Sequence, residues 1–180
     1  MTLNFTKEQR AILINQMEIL KKVDKANEKE YEKKIFALHC GFSKLYSELI
    51  GEIDDELEID IQNTVYDVFQ MYKDLNYSYN KLSPEEQEQI EKEDLLFKGY
   101  DGHSEAAYLL FANFIIRELD HFVYIKKLLD SGEIESLDSH YSTLSYYKKL
   151  LPAWKHYKKA KENQLNSNLS LEEIKEILGK

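Results

Sequence analysis

The chain has few residues that break helices or cross-link a fold. Its 180 residues include two prolines, six glycines and one cysteine. Because proline and glycine mark most turns, their scarcity favours long helices over strands joined by tight turns. The single cysteine, Cys40, excludes an internal disulfide, and its apolar neighbours predict a buried thiol in a reducing compartment. The composition therefore predicts an all-α fold.

Long uninterrupted apolar runs and an excess of positive charge are also absent. The chain starts without the basic segment and apolar stretch of a secretory signal. Its most apolar segment, residues 106–125, contains Asn113, Arg117 and other polar residues that are atypical of a lipid-facing helix. The net charge of −9 works against nonspecific binding to nucleic acid or anionic lipid. We therefore expect a cytoplasmic protein without a membrane partner.

Helix starts are marked by capping boxes, in which a hydroxyl residue is followed three positions later by glutamine or glutamate. They occur at Thr6–Gln9, Ser83–Glu86 and Ser170–Glu173. The apolar spacing predicts a first helix to about residue 23 and a second to about residue 40, which together form a hairpin. A third long helix should reach about residue 82, and a short polar helix should follow to about residue 93.

The segment from about Ser104 to Leu129 has the strongest apolar character. Apolar residues surround most of its predicted helical circumference, so neighbours should pack on several sides of it. We expect it to be the central helix of a compact bundle of about six to eight helices. Residues 1–180 are expected to form a single domain.

Two glycines lie at the start of this segment, in Phe97-Lys98-Gly99-Tyr100-Asp101-Gly102-His103-Ser104-Glu105. Glycines at such a junction let backbone N–H groups approach a ligand or let the chain turn sharply. One interpretation is a helix start capped by Asp101 or Ser104. The other is a ligand site. Its candidate binding residues are Gly99, Tyr100, Asp101, Gly102, Glu105, Tyr108, Arg10 and Arg117.

Glu118 and His121 have the spacing of a carboxylate and an imidazole that bind a metal from one helix. A dinuclear site needs a second such pair, and no other histidine has a glutamate three residues before it. A solvated helix face with an Arg117–Asp120 ion pair is the other interpretation of these polar residues. A hydrolase or metal-dependent enzyme that uses Glu118 and His121 is kept as an alternative function.

Lysines are concentrated in one aromatic segment. Six of them lie in Lys148–Lys161, and no acidic residue occurs from Tyr141 to Ala160. An acidic protein could hold an anion or a nucleic acid here. The other interpretation is that the aromatic residues belong to the core and the lysines face solvent. Nucleic-acid binding through this segment is a third candidate function.

The aromatic content predicts self-association. The chain has 13 tyrosines and eight phenylalanines, more than one modest core readily buries. Such residues are frequent in protein interfaces. We therefore expect a homodimer, since two-fold dimers are the commonest symmetric assemblies.

Five motifs follow one another along the chain. They are Gln9-Arg10-x-x-Leu13-x-Asn15-Gln16, Val65-Tyr66-Asp67-x-x-x-Met71-Tyr72, Phe97-x-Gly99-Tyr100-Asp101-Gly102 with Glu105, Trp154, and Leu169-Ser170-x-Glu172-Glu173-Ile174. In this order they resemble the YfbU family of bacterial and archaeal proteins, over nearly the entire chain. The resemblance implies a helical domain whose biochemical function is not established. It favours a ligand-sensing or protein-interaction module over an enzyme, and it transfers no catalytic residue and no cofactor.

Overall fold

The computed structural model describes residues 3–51, 54–162 and 167–180. These residues form helices and connecting loops, and the extended pairing among them is one isolated bridge between Tyr100 and Asp138. The predicted all-α fold is confirmed. The chain divides into two compact units, Met1–Glu56 and Leu57–Lys180. The expectation of one domain over the whole chain stays a prediction.

The N-terminal unit contains a helical hairpin. Its helices are α1 (Lys7–Val23), α2 (Glu28–Cys40) and α3 (Tyr46–Ile50). The predicted capping box starts α1, since the hydroxyl of Thr6 accepts from the backbone N–H of Gln9 at 3.2 Å. Helices α1 and α2 pack against each other, which confirms the predicted hairpin.

The prediction of a buried Cys40 is wrong, because this side chain is exposed. The buried residues of α2 are Ile35, Ala37 and Leu38. Two helical positions beyond Leu38 amount to a rotation of about 200°, so Cys40 lies on the opposite face. The neighbouring Phe36 is exposed as well. Apolar neighbours in the sequence therefore belonged to both faces of the helix.

The C-terminal unit is built around one long helix. Its helices are α4 (Ile59–Tyr79), α5 (Pro84–Gln87), α6 (Ala106–Arg117), α7 (Val123–Ser131), α8 (Leu144–Lys161) and α9 (Leu171–Leu178). Helix α4 contacts α6, α7, α8 and α9. Its buried residues are Val65, Val68, Phe69, Met71, Tyr72, Leu75, Ser78 and Tyr79. The described residues thus contain nine α-helices instead of six to eight, and α5 ends before the predicted residue 93.

The prediction of one central helix from Ser104 to Leu129 is wrong. Two helices, α6 and α7, occupy this segment, and Asp120 and Phe122 between them have positive φ angles of 53° and 50°. Helix α6 is also not covered on all sides, since Leu110 is 72% exposed. The central position belongs to α4.

Tertiary contacts explain the break between α6 and α7. The ring centroid of Phe122 lies 5.4 Å from that of Tyr66 and 5.3 Å from that of Phe69, both on α4. The backbone N–H of His121 donates to the carbonyl of Ile115 at 2.9 Å, which closes the end of α6. Packing on α4 therefore overrides the helical preference of the sequence. None of the described helices has both the length and the apolar character needed to span a membrane.

Candidate functional site

The glycine-containing loop before α6 pairs with a distant segment of the chain. Tyr100 donates its backbone N–H to the carbonyl of Leu137 at 2.8 Å and accepts from the N–H of Ser139 at 3.1 Å. Gly99 has a φ of +88°, and a β-carbon there would lie 2.8 Å from the Leu137 carbonyl oxygen and 2.8 Å from the Ser139 nitrogen. The loop therefore requires glycine at position 99 for both conformation and space.

Asp101 caps the turn that leads into α6. Its carboxylate accepts from the backbone N–H groups of His103 at 3.2 Å and Ser104 at 3.0 Å, and from the Ser104 hydroxyl at 2.5 Å. These hydrogen bonds, led by the Ser104 hydroxyl, lower the pKa of Asp101. Because α6 itself begins after Glu105, the predicted cap acts one turn before the helix.

Glu105 is buried and joins the loop to the start of α8. One oxygen, Oε1, accepts from the backbone N–H groups of Thr143 at 2.9 Å and Leu144 at 2.8 Å, and from the Ser142 hydroxyl at 2.5 Å. The other oxygen, Oε2, accepts from the backbone N–H of Asp101 at 3.0 Å. Glu105 therefore caps α8 from a different part of the chain, where a helix N-terminus favours negative charge.

The electrostatics of Glu105 follow from these contacts. Burial raises its pKa, but the hydrogen bonds from Ser142, Leu144, Asp101 and Thr143 outweigh burial and leave the pKa below its ordinary value. The carboxylate is thus charged near neutral pH, and its acceptor positions are filled by protein donors. A ligand at Glu105 would have to displace one of these donors.

Three further groups complete this connection. The Thr143 hydroxyl donates to the carbonyl of Gly99 at 2.6 Å, and the Tyr147 hydroxyl donates to the same carbonyl at 2.8 Å. The N–H of Gly102 donates to Oδ1 of Asp138 at 3.1 Å. Sequence reasoning found the loop but missed Asp138 and Thr143. Only the polar run before α8 could have indicated a partner.

The remaining predicted site residues lie in different places. The ring centroids of Tyr100 and Tyr108 are 5.6 Å apart, so Tyr108 lies beside the loop. Arg117 is at the far end of α6, where its Nε donates to the side chain of Asn113 at 3.0 Å. Arg10 belongs to the N-terminal unit, where its guanidinium donates to the carbonyl of Leu38 at 3.0 Å. Binding by this set of residues stays a prediction.

The geometry of the proposed enzyme pair differs from the expected one. Glu118 lies at the end of α6 and His121 lies in the following break, so one helix does not present both side chains. The Nδ1 atom of His121 is 3.1 Å from the Tyr66 hydroxyl. The expected Arg117–Asp120 ion pair is replaced by a contact of Asp120 with Lys126. Within residues 3–51, 54–162 and 167–180, no three potential ligands cluster in a metal-binding arrangement.

A second candidate site is a cleft of about 610 Å³ between α4 and α8, which we call the α4–α8 cleft. Its lining residues are Asp67, Gln70, Asp74, Tyr77, Ser78, Trp154, Lys155, Lys158, Lys159, Lys161, Glu162, Ser167, Asn168 and Leu169. The α4 members recur at helical spacing, so they lie on one face of that helix. The apolar period of α4 predicts its buried face and gives no sign that the polar residues on the other face line a cleft.

Hydrogen bonds fix the floor of the α4–α8 cleft. The indole N–H of Trp154 donates to Oδ2 of Asp74 at 3.1 Å, and the amide of Gln70 donates to Oδ1 at 2.6 Å. The ammonium of Lys155 forms an ion pair with Asp67 at 2.5 Å. Both aspartates therefore have a protein partner, whereas Glu162 of the lining forms no ion pair with another described residue.

Two wall lysines lack such partners. Lys158 lies 4.4 Å from the ring centroid of Trp154, a distance typical of a cation–π contact. In the part of the chain that the structure describes, neither Lys158 nor Lys159 forms an ion pair with an acidic side chain. Lys161, in contrast, pairs with Glu173 at 2.8 Å. The unpaired positive charge of the cleft is thus concentrated at two adjacent residues.

The fold and these two sites define an all-helical protein with a charged cleft. The family model of the YfbU domain matches residues 3–179, and the chain belongs to the YfbU family. It is 32% identical over 175 residues to UPF0304 protein MJECS11 of Methanocaldococcus jannaschii, covering 96% of this chain and 98% of that protein. It is 28% identical over 179 residues to a UPF0304 protein of Actinobacillus succinogenes, covering 98% and 99%. Neither relative's name describes an activity.

Proposed function

We propose that the protein is a non-enzymatic, cytosolic ligand-sensing module that holds a small organic anion in the α4–α8 cleft. The observation that carries this proposal is the position of Lys158 and Lys159 on the cleft wall without an acidic partner among the described residues. Unpaired ammonium groups beside a concave surface attract carboxylates and phosphates. The exposed thiol of Cys40 suits a reducing compartment.

The size and lining of the cleft support a small molecule. Its volume of about 610 Å³ falls in the usual range for small-molecule sites. Tyr77 also lines it and is 58% exposed, so its ring offers an apolar surface near the lysines. The matching ligand has an anionic group and a planar or apolar part.

The hydrogen bonding of the cleft favours binding over catalysis. Asp67 is paired with Lys155, and both oxygens of Asp74 accept hydrogen bonds from Trp154 and Gln70. A general base needs an accessible acceptor within reach of the proton it removes. These carboxylates instead hold the walls together, so a ligand is recognised by the lysines.

Thermal-shift titrations with pyrophosphate, citrate and adenosine triphosphate at about 0.15 M salt test this function. We expect at least one anion to raise the Tm in a saturable way. Replacing both wall lysines, in Lys158→Gln/Lys159→Gln, should weaken binding of that anion about a hundredfold or more, because each charge-assisted hydrogen bond contributes about 1.5 to 3 kcal/mol. The matched control, Lys148→Gln/Lys149→Gln, removes the same charge from α8 outside the cleft and should bind normally.

Other results would replace the cleft with another site. If none of the anions stabilises the protein, the anion-binding function is wrong. If an anion binds and its affinity is unchanged in the cleft variant, the anion binds outside the α4–α8 cleft and the proposed site is wrong. If an oligonucleotide binds and both lysine variants weaken it equally, the whole lysine segment binds nucleic acid.

A further inference from the structure

Helix α1 exposes an apolar stripe. Ile12, Ile19, Leu20 and Val23 are exposed by 58%, 62%, 41% and 79%, and no residue of α1 is buried. They recur at helical spacing, and Ile12, Ile19 and Val23 lie on the face away from Arg10, whose side chain contacts α2. We call these four residues the α1 stripe. The exposed side chain of Gln16 lies between Ile12 and Ile19 on the same face, so the stripe is apolar with one amide in its middle. An exposed helix face that is mostly apolar is typical of a helix-pairing surface.

A row of polar residues beside the α1 stripe indicates which kind of surface the stripe pairs with. Glu8, Asn15 and Lys22 are seven residues apart, so they lie in one row along the flank of the stripe. Neither Glu8 nor Lys22 forms an ion pair with another described residue. The row is acidic at one end, neutral in the middle and basic at the other end. Two copies of the row that run in opposite directions therefore place opposite charges next to each other.

We propose that α1 pairs in antiparallel orientation with α1 of a second copy of this chain. In this arrangement Glu8 of each copy faces Lys22 of the other, and the two Asn15 side chains meet on the two-fold axis. A parallel pair would place Glu8 against Leu13 and would bring no opposite charges together. The antiparallel pair is also isologous and closed, as a two-fold dimer requires.

The length of the helix sets the expected strength. Seventeen residues span about 25 Å, so pairing through α1 alone buries less than the roughly 1,200 to 2,000 Å² of a standard stable interface. We therefore expect a reversible dimer with a Kd in the micromolar range. This self-association does not depend on an anion in the α4–α8 cleft, and the two proposals can fail separately.

Sedimentation of the full chain from about 1 to 200 µM, with single charge reversals, tests the pairing. Glu8→Lys alone and Lys22→Glu alone each create two like-charge pairs in the homodimer, so each should weaken it about tenfold. Mixing the two variants in equal amounts should restore dimerisation, because both pairs between different variants are then opposite in charge. The control Lys29→Glu, on an exposed position of α2, should dimerise like the wild type.

Three results would overturn the proposal. The first is a monomeric wild type throughout the concentration range. The second is a dimer that neither single reversal weakens, which would place the interface elsewhere. The third is weakened single variants without recovery in the mixture, which would exclude the antiparallel register. Circular dichroism of each variant checks that α1 still folds, and the exposed variant Ile19→Gln should weaken the dimer without loss of helicity.

Discussion

At the scale of single residues, Glu105 connects three parts of the chain. Its carboxylate accepts hydrogen bonds from Asp101 in the loop and from Ser142, Thr143 and Leu144 at the start of α8. A buried carboxylate is stable in such a position because its charge is matched by N–H donors at a helix N-terminus. The same carboxylate would otherwise lose much of its hydration without compensation.

Replacing this carboxylate by an amide should destabilise the protein. In Glu105→Gln one acceptor oxygen becomes an NH2 group that faces protein donors, and the charge at the start of α8 is lost. We expect the free energy of unfolding to fall by about 3 kcal/mol at pH 7. Urea denaturation measures the change, and Glu135→Gln, at an exposed position, is the matched control. A loss equal to that of the control would contradict the role assigned to Glu105.

The same variant predicts a pH dependence. Because the pKa of Glu105 is lowered in the folded protein, the unfolded chain binds the proton more readily, and stability from this group is present above the ordinary pKa of about 4.3. That stability is lost as the pH falls through the folded pKa. The difference in unfolding free energy between wild type and Glu105→Gln should therefore narrow below about pH 4. An unchanged difference down to about pH 3 would contradict this reasoning.

The sequence predicted the loop before α6 as a candidate site but did not predict the residues before α8 that bind to it. Asp101 and Glu105 follow a glycine in a loop before an apolar helix, a local pattern that can be recognised without a structure. Thr143 and Asp138 are 38 and 36 residues away from their partners Glu105 and Gly102. That pairing depends on how the helices pack, and short sequence motifs do not predict contacts between residues so far apart. The lysines on the α8 wall of the α4–α8 cleft were predicted from the sequence as a possible anion site, but the α4 wall was missed for the same reason.

At the scale of secondary-structure elements, capping boxes were predictable and the break between α6 and α7 was not. The boxes at Thr6, Ser83 and Ser170 are formed as predicted, because a cap depends on four consecutive residues. The break contains no glycine or proline, and it exists because Phe122 packs against aromatic residues of α4. Periodicity alone therefore could not separate one long helix from two short ones.

Two glycines with similar backbone conformations should respond differently to alanine. Gly99 and Gly132 have φ angles of +88° and +77°, but a β-carbon at Gly99 would press on the backbone of Leu137 and Ser139, whereas nothing lies within 4 Å at Gly132. We expect Gly132→Ala to cost about 1 kcal/mol from its left-handed conformation. Gly99→Ala should cost about 3 kcal/mol or more, since overpacking is added. Equal losses in thermal unfolding would show that the loop adapts to a side chain.

At the scale of the whole molecule, the two units differ in how much they bury. Helix α4 of the C-terminal unit has eight buried residues, including Phe69 and Tyr72, whereas α1 of the N-terminal unit has none. Buried apolar area is the main source of local resistance to opening. We therefore expect α4 to resist local unfolding more strongly than α1, although both are long helices.

Hydrogen–deuterium exchange of the full chain should display this difference directly. Backbone amides in the middle of α4 should exchange slowest, at rates set by opening of the C-terminal core. Amides of α1 should exchange much faster in dilute protein, because few buried contacts oppose local unfolding of that helix. Raising the protein concentration above the Kd of the proposed dimer should slow amide exchange in α1 and leave exchange in α4 unchanged, since binding stabilises only the surface that it covers.

The charge-reversed Glu8→Lys variant provides the control, because amide exchange in its α1 should stay fast at the same concentration. Protection of α1 equal to that of α4 in dilute protein would contradict this ranking, and protection that rises with concentration equally in the variant would have a cause other than α1 pairing.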